Sequence, residues 1–158
     1  MPAEGEAPPD RGPGVGIPPP AGVLAGLIAA QLLNLLLPLR LGPPAVPLAV
    51  LVALFALVWI GWALIVLVKA GNDPRPDRPD TALVERGPYR LSRNPIYSGF
   101  VLFLTAVALY DGMLWSWLAV GAVFLWLDFA VVRKEEAYLA RRFGPAYEAY
   151  QRRVRRWL

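Results

Sequence analysis

The sequence predicts an all-α integral membrane protein with about four transmembrane helices and a C-terminal cytoplasmic amphipathic helical segment. Hydrophobic residues make up 56% of the 158 residues and charged residues only 18%. The apolar residues come in long blocks, which is typical of membrane proteins rather than soluble domains. All Lys and Arg residues except Arg11 and Arg40 lie within 69–93 or from 133 onward, beside these blocks. This clustering is typical of a cytoplasmic membrane face, so we expect the lipid bilayer as a partner and no nucleic acid.

The first part of the chain predicts a Pro/Gly-rich disordered segment over 1–20, followed by two transmembrane helices within 21–69. The first apolar span runs from about Ala21 to Leu39. The second runs from about Ala45 to Val68 and is long enough to cross a bilayer.

Four residues of the first span predict contacts with a neighbouring helix. Gly22 and Gly26 form a GxxxG pattern, which favours close helix packing. Gln31 and Asn34 are polar within an apolar run, so we expect them to form hydrogen bonds with another helix.

The remaining segment, 70–158, begins with a polar, Pro-containing loop over 70–86 that we expect to be solvated. The third apolar span, 96–110, is roughly 22 Å of helix, which is short for a full span. Asp111-Gly112 is a turn signal, and the fourth span follows over 113–132. Spans three and four are therefore predicted to form a tight helical hairpin.

The basic residues also predict the topology. The 69–93 segment and the tail after Val132 should share the cytoplasmic side, with two spans between them. Two further spans return the N-terminus to that side. We therefore expect an integral protein of the cell inner (cytoplasmic) membrane, with both termini in the cytoplasm.

The C-terminal segment has a helical apolar face. Its members share one side of a helix at spacings of three and four residues: Leu139, Phe143, Tyr147, Tyr150 and Val154. Such a segment can lie on an anionic membrane surface, or it can fold back over the polar loop. The sequence leaves both arrangements open.

The composition limits the chemistry. The chain contains no cysteine and no histidine, so we expect no metal site of the usual kind. Any general base must be a carboxylate, a tyrosine, a lysine or the substrate itself.

A turn that carries arginine and tyrosine precedes the third span. Arg90 and Arg93 lie beside the start of an apolar helix, where a guanidinium is costly unless it meets an anion. Pro95 suits the first helical turn and leaves the N–H groups of Ile96 and Tyr97 free. This arrangement favours an anionic ligand group, although the arginines could equally contact lipid phosphates.

Three acidic residues follow in and after the fourth span. Glu135 and Glu136 need a basic partner or a cationic ligand at this position. Asp128 lies two helical turns before Glu135, inside the apolar span. It is either a functional carboxylate or a structural one paired with a residue such as Arg93, and both interpretations stay open.

Two motifs resemble a known family. GPYRLSRNPIYSG, at 87–99, and EEAYLARRFGPAYEAYQRRV, at 135–154, resemble the integral-membrane methyltransferases related to isoprenylcysteine carboxyl methyltransferase and phospholipid methyltransferases. The resemblance implies that 70–158 is a methyltransferase core that binds S-adenosyl-L-methionine between the first motif and the Glu-Glu helix. It also implies methyl transfer to a hydrophobic, membrane-resident acceptor, a carboxylate or an amine.

The resemblance indicates the site residues. The expected catalytic residues are Arg93, Asn94 and Glu135. The expected cofactor-binding residues are Tyr89, Arg93, Asn94, Pro95, Tyr97, Gly99, Glu135, Glu136 and Tyr147. Arginine and free amides suit the cofactor carboxylate, glutamate suits the ammonium or the ribose, and tyrosines suit the adenine or the sulfonium.

The chain departs from the family pattern at two positions. Asn94 stands where many relatives have histidine, which excludes a histidine base. Arg155 stands where relatives often have proline. Two alternative functions stay open, an NADPH-dependent membrane reductase and a non-catalytic membrane binding or scaffold protein.

Overall fold

The computed structural model describes residues 12–75 and 78–158, and in these ranges it contains helices and no strands. The helices are α1 (Pro19–Leu36), α2 (Val46–Lys69), α3 (Pro95–Asp111), α4 (Leu114–Trp126), α5 (Arg133–Phe143) and α6 (Pro145–Arg153). A 3₁₀ turn at Gly87–Arg90 precedes α3, and a π-helical segment at Leu127–Val132 joins α4 to α5. The predicted all-α class is confirmed.

The structure describes only the second part of the segment predicted to be disordered, 1–20. Residues 1–11 lie outside the described residues. Residues 12–18 precede α1 in an irregular conformation, and Val15 packs against the buried core residues of the helices.

Among the described residues, three helical stretches are long and apolar enough to cross a membrane: α1, α2 and the continuous helix Leu114–Phe143. The third predicted span, α3, is shorter, with 17 residues. Large apolar side chains cover the outward faces, with Leu35 79% exposed and Val58 70% exposed. Such surfaces are suited to lipid, so the protein is an all-α membrane protein.

The two short connections between helices lie at one end of the bundle. The α1–α2 link forms backbone hydrogen bonds with the α3–α4 turn: Leu41 N–H donates to the Gly112 carbonyl at 2.9 Å, and Leu114 N–H to the Leu39 carbonyl at 2.8 Å. Gly112 adopts a φ of +64°, and a β carbon there would lie 2.4 Å from the Gly42 carbonyl oxygen. The predicted hairpin turn at Asp111-Gly112 therefore needs glycine.

Helix α1 packs closely on α4, as the GxxxG pattern predicts. A β carbon at Gly22 would lie 2.2 Å from the Trp126 ring, and one at Gly26 would lie 2.5 Å from Val123. Only a hydrogen atom fits at either position, so these glycines set the distance between the helices.

The polar residues of α1 contact the hairpin. Gln31 Nε2 donates to Asp111 Oδ2 at 3.2 Å, and Asn34 Nδ2 donates to Ser116 Oγ at 2.9 Å. The predicted interhelical hydrogen bonds are confirmed.

Helix α4 does not end where the predicted fourth span ends. It continues through the π-helical segment, where Leu127, Val131 and Val132 are fully buried, and runs on as α5. Asp128 lies in this π-helical segment, and Glu135 and Glu136 lie in the first turn of α5. One continuous helix thus joins the hairpin turn to the acidic residues.

Candidate functional site

A cavity of about 130 Å³ lies at the end of the bundle opposite the short connections, between the α2–α3 loop, the start of α3, and α5 and α6. Eight of the predicted site residues line it: Tyr89, Arg93, Asn94, Pro95, Tyr97, Glu135, Glu136 and Tyr147. The hairpin formed by α3 and α4 thus brings the two sequence motifs together.

The first motif begins with a tight turn against α2. Gly87 has a φ of +60°, and a β carbon there would lie 3.0 Å from Val66 and 3.3 Å from the Trp62 indole nitrogen. The 3₁₀ turn that follows buries Tyr89, and burial raises the pKa of its phenol well above the usual value. Glycine at this position therefore allows the chain to bring Tyr89 to the cavity.

Arg93 reaches the cavity with unused hydrogen-bonding capacity. Its side chain is 12% exposed, and its Nη1 lies 3.2 Å from Glu136 Oε1. Nη1 is thus held in an ion pair, whereas within the described part of the chain the buried Nε has no hydrogen-bond partner. A buried guanidinium in this state favours an additional anionic ligand.

Glu135 connects α5 to α3. Tyr97 donates its hydroxyl hydrogen to Glu135 Oε1 at 2.5 Å. Both side chains line the cavity. This hydrogen bond holds one oxygen of the carboxylate and orients the group beside the start of α3.

Glu136 is held by arginines. Arg156 Nη2 lies 2.7 Å from Glu136 Oε2 and Arg156 Nε lies 3.1 Å from Oε1, and Arg93 Nη1 lies 3.2 Å from the same Oε1. Two basic partners compensate for the burial of this carboxylate.

Asp128 is also paired, although not with Arg93. Its oxygens accept hydrogen bonds from Arg133 Nε at 3.3 Å, Arg156 Nη1 at 3.4 Å and Trp157 Nε1 at 3.0 Å. The Trp157 ring packs on Phe124 with 4.8 Å between the ring centroids. These contacts favour the structural interpretation of Asp128, as an anchor for the tail.

The polar side chain of Asn94 is bound to the tail. Its Nδ2 donates to the backbone carbonyl of Arg156 at 3.1 Å, and Ser92 Oγ donates to the same carbonyl at 3.1 Å. The Arg93 N–H donates to the Arg155 carbonyl at 2.8 Å. The turn before α3 and the tail after α6 therefore form one hydrogen-bonded unit.

The C-terminal helices fold back over the loop, which is one of the two arrangements that the sequence left open. Tyr147 and Tyr150 are 1% and 3% exposed, and the Tyr150 hydroxyl donates to the Tyr89 carbonyl at 2.7 Å. Burial raises the pKa of Tyr147 to about 12, further from physiological pH than that of an ordinary tyrosine. The apolar face of α5 and α6 covers the cavity.

The phospholipid methyltransferase family matches residues 45–146. The chain belongs to the phospholipid methyltransferase family. An uncharacterized protein from Haemophilus influenzae is 36% identical over 63 residues, which is 40% of this chain and 100% of the relative. No solved structure matches. The protein is therefore a membrane member of a methyltransferase family.

The match to the phospholipid methyltransferase family also covers α2, which lies outside both sequence motifs. Trp59 of α2 donates its indole hydrogen to the Pro95 carbonyl at 2.9 Å. A β carbon at Gly99 would lie 2.3 Å from Ile60 Cγ1. Gly99 thus packs against α2 and is the predicted site residue that does not line the cavity; its contact with the cofactor stays a prediction.

In this family member, the loop after α2 contributes residues that sequence reasoning missed. Asn72 is 5% exposed, and its Oδ1 accepts hydrogen bonds from the N–H groups of Thr81 and Ala82 at 2.9 and 3.0 Å. The expectation of a solvated loop is thus wrong for this residue and for the buried Val84. No local sequence pattern predicts that Asn72 forms hydrogen bonds with residues nine and ten positions later.

The same loop adds charge to the cavity. Its charged lining residues are Asp73, Arg75, Arg78 and Asp80. Asp73 and Arg75 form an ion pair at 2.6 Å, and the hydrogen bond from Arg75 lowers the pKa of Asp73 to about 2. The sequence shows that Asp and Arg alternate in this loop, but it does not show that these residues line the cavity.

Proposed function

We propose that this protein is an S-adenosyl-L-methionine-dependent methyltransferase that acts on a hydrophobic acceptor from the cytoplasmic membrane. The observation that carries the proposal is Arg93, whose Nη1 is paired with Glu136 and whose buried Nε has no hydrogen-bond partner among the described residues. In a member of a methyltransferase family, this guanidinium is suited to the carboxylate of the cofactor.

The start of α3 is suited to the same group, the carboxylate of the cofactor. Pro95 occupies the first turn, where the N–H groups of Ile96 and Tyr97 have no acceptor within the helix. These groups and the helix dipole favour negative charge beside Arg93.

Glu135 is the carboxylate for a cationic or hydroxyl group of the cofactor. Glu136 already has two arginine partners, whereas among the described residues Glu135 has the Tyr97 hydroxyl. Its second oxygen can accept a hydrogen bond from an ammonium group or a ribose hydroxyl.

Tyr89 and Tyr147 supply neutral aromatic surfaces. Both phenols are protonated at physiological pH, as tyrosines ordinarily are, and burial raises the pKa of each further. Aromatic faces attract a sulfonium without forming a bond to it. When bound, the cofactor supplies an electrophilic methyl group.

The remaining residues position these groups and exclude water. Asn94 holds the tail through the Arg156 carbonyl, and α5 and α6 cover the cavity. In the proposal, Asn94 is a positioning residue. Exclusion of water and fixed orientation are the main contributions that such a site makes to methyl transfer. An acceptor carboxylate needs no base, and an amine needs only to arrive unprotonated.

The test is the binding of S-adenosylhomocysteine to purified protein in detergent, measured by isothermal titration calorimetry. We expect Arg93→Ala to weaken binding by about tenfold or more, because a charge-assisted hydrogen bond is lost. The matched control is Arg141→Ala, which removes an exposed arginine of α5 outside the cavity. Arg78→Ala could not serve as this control, because Arg78 also lines the cavity.

Equal effects of the two substitutions would contradict the role of Arg93. Binding of NADPH without S-adenosylhomocysteine would support the reductase instead. Binding of S-adenosylhomocysteine without transfer of a labelled methyl group to any lipid extract would support a non-catalytic binding protein.

A further inference from the structure

We propose that a second cleft, separate from the cavity, binds the phosphate group of an anionic phospholipid. This basic cleft has a volume of about 950 Å³ and adjoins the cavity, with which it shares the lining residues 82–84 and Tyr150. Its charged residues are Lys69, Glu85, Arg86, Arg90 and Arg153. The inference does not depend on the proposed methyltransferase activity.

The charge of the basic cleft favours a phosphate. Four basic residues and one acidic residue line it, which gives a net charge of +3. The acid, Glu85, is already paired with Arg153 Nη2 at 2.6 Å. Lys69, Arg86 and Arg90 are exposed around the same opening; Lys69 ends α2, and Arg86 and Arg90 lie at the two ends of the 3₁₀ turn. Arginine and lysine together are suited to a phosphate group that carries several acceptor oxygens.

The position of the basic cleft favours a lipid over a soluble phosphate. Lys69 is the last residue of α2, which is long and apolar enough to span a membrane. The cleft therefore opens where a spanning helix ends, at the depth of the lipid headgroups. Ile65 and Val68, four residues and one residue before Lys69, are each 54% exposed. An acyl chain could lie along them while the phosphate occupies the cleft.

The test uses full-length protein in a neutral detergent and native mass spectrometry with two short-chain lipids, dioctanoylphosphatidylglycerol and dioctanoylphosphatidylcholine. The variant Arg86→Gln/Arg90→Gln removes two charges from the cleft. The control Lys134→Gln/Arg141→Gln removes two charges from exposed positions on α5 that line neither the cleft nor the cavity. Thermal unfolding of each variant verifies that the fold is retained.

We expect wild-type protein to prefer phosphatidylglycerol, the cleft variant to lose about tenfold or more in affinity, and the control to change by less than about twofold. Equal losses in both variants would overturn the proposal, because the net charge alone would then explain binding. An unchanged cleft variant would overturn it as well. Displacement of the lipid by glycerol 3-phosphate at equal concentration would overturn the assignment to a lipid and indicate a soluble phosphate.

Discussion

The guanidinium of Arg156 holds both carboxylate oxygens of Glu136, with Nη2 at 2.7 Å from Oε2 and Nε at 3.1 Å from Oε1. The third nitrogen, Nη1, reaches Asp128 Oδ1 at 3.4 Å. One side chain of the tail therefore bridges two buried carboxylates on the long helix. The tail is part of the structure around the cavity.

Replacement of Arg156 by alanine should lower the free energy of unfolding by about 1–3 kcal/mol, because two buried carboxylates lose hydrogen bonds and a compensating charge. The measurement is denaturant unfolding in mixed micelles. Arg152→Ala is the control, since Arg152 is exposed on α6, and it should change stability by less than about 0.5 kcal/mol. A comparable loss in both variants would mean that the pairing with Glu136 contributes nothing specific.

Gly87→Ala should destabilise the protein by about 1–2 kcal/mol, because alanine is strained at a φ of +60° and its β carbon would press on Val66. The same unfolding assay applies. Gly121→Ala is the matched control, because Gly121 lies within α4 with no atom within 4 Å of the added carbon. We expect that control to be neutral or slightly stabilising. If Gly87→Ala behaved like Gly121→Ala, the turn would not require glycine.

Asn94→Asp should lower the free energy of unfolding by about 1–3 kcal/mol. The substitution replaces the amide that donates to the Arg156 carbonyl by an acceptor oxygen, so the hydrogen bond becomes a repulsion. Stability and S-adenosylhomocysteine affinity should fall together. A loss of methyl transfer at unchanged stability would instead indicate a direct catalytic role for Asn94.

The predicted orientation can be tested with single cysteines, because the chain has no cysteine of its own. Arg141→Cys should react with a membrane-impermeant maleimide from the cytoplasmic side, and Arg40→Cys should react from the opposite side. Both positions are exposed. Labelling of both from the same side would contradict the three membrane crossings, α2, α3 and α4, that the predicted topology places between the α1–α2 link and Arg141.

The helices were predictable because their ends coincide with clear breaks in hydropathy. The predicted third span, 96–110, corresponds to α3 at Pro95–Asp111, and the second, 45–68, to α2 at Val46–Lys69. Proline, glycine or a charge marks each boundary. The predicted hairpin also indicated that the two motifs lie close together, because it returns the chain to the end of the bundle where the first motif lies.

The sequence could not predict which residues pair with each other within the site, because these pairs depend on the path of the tail. Asp128 and Arg156 are 28 positions apart, and the acceptor of the Asn94 amide is a backbone carbonyl of that tail. Gly99 illustrates the same limit within a motif. Its residue type suits close approach by a ligand or by a helix, and only the packing of Ile60 decides which.

The continuous helix from Leu114 to Phe143 has a consequence for where this protein can work. Its first 23 residues, up to Glu136, extend about 34 Å, which is close to the roughly 30 Å hydrocarbon thickness of a typical bilayer. The acidic end of the cavity is therefore held at a set distance from the hairpin turn. A thicker bilayer would draw hydrocarbon toward Glu135 and Glu136, and a thinner one would leave them in water. Membrane thickness would thus control how well hydrated these carboxylates are.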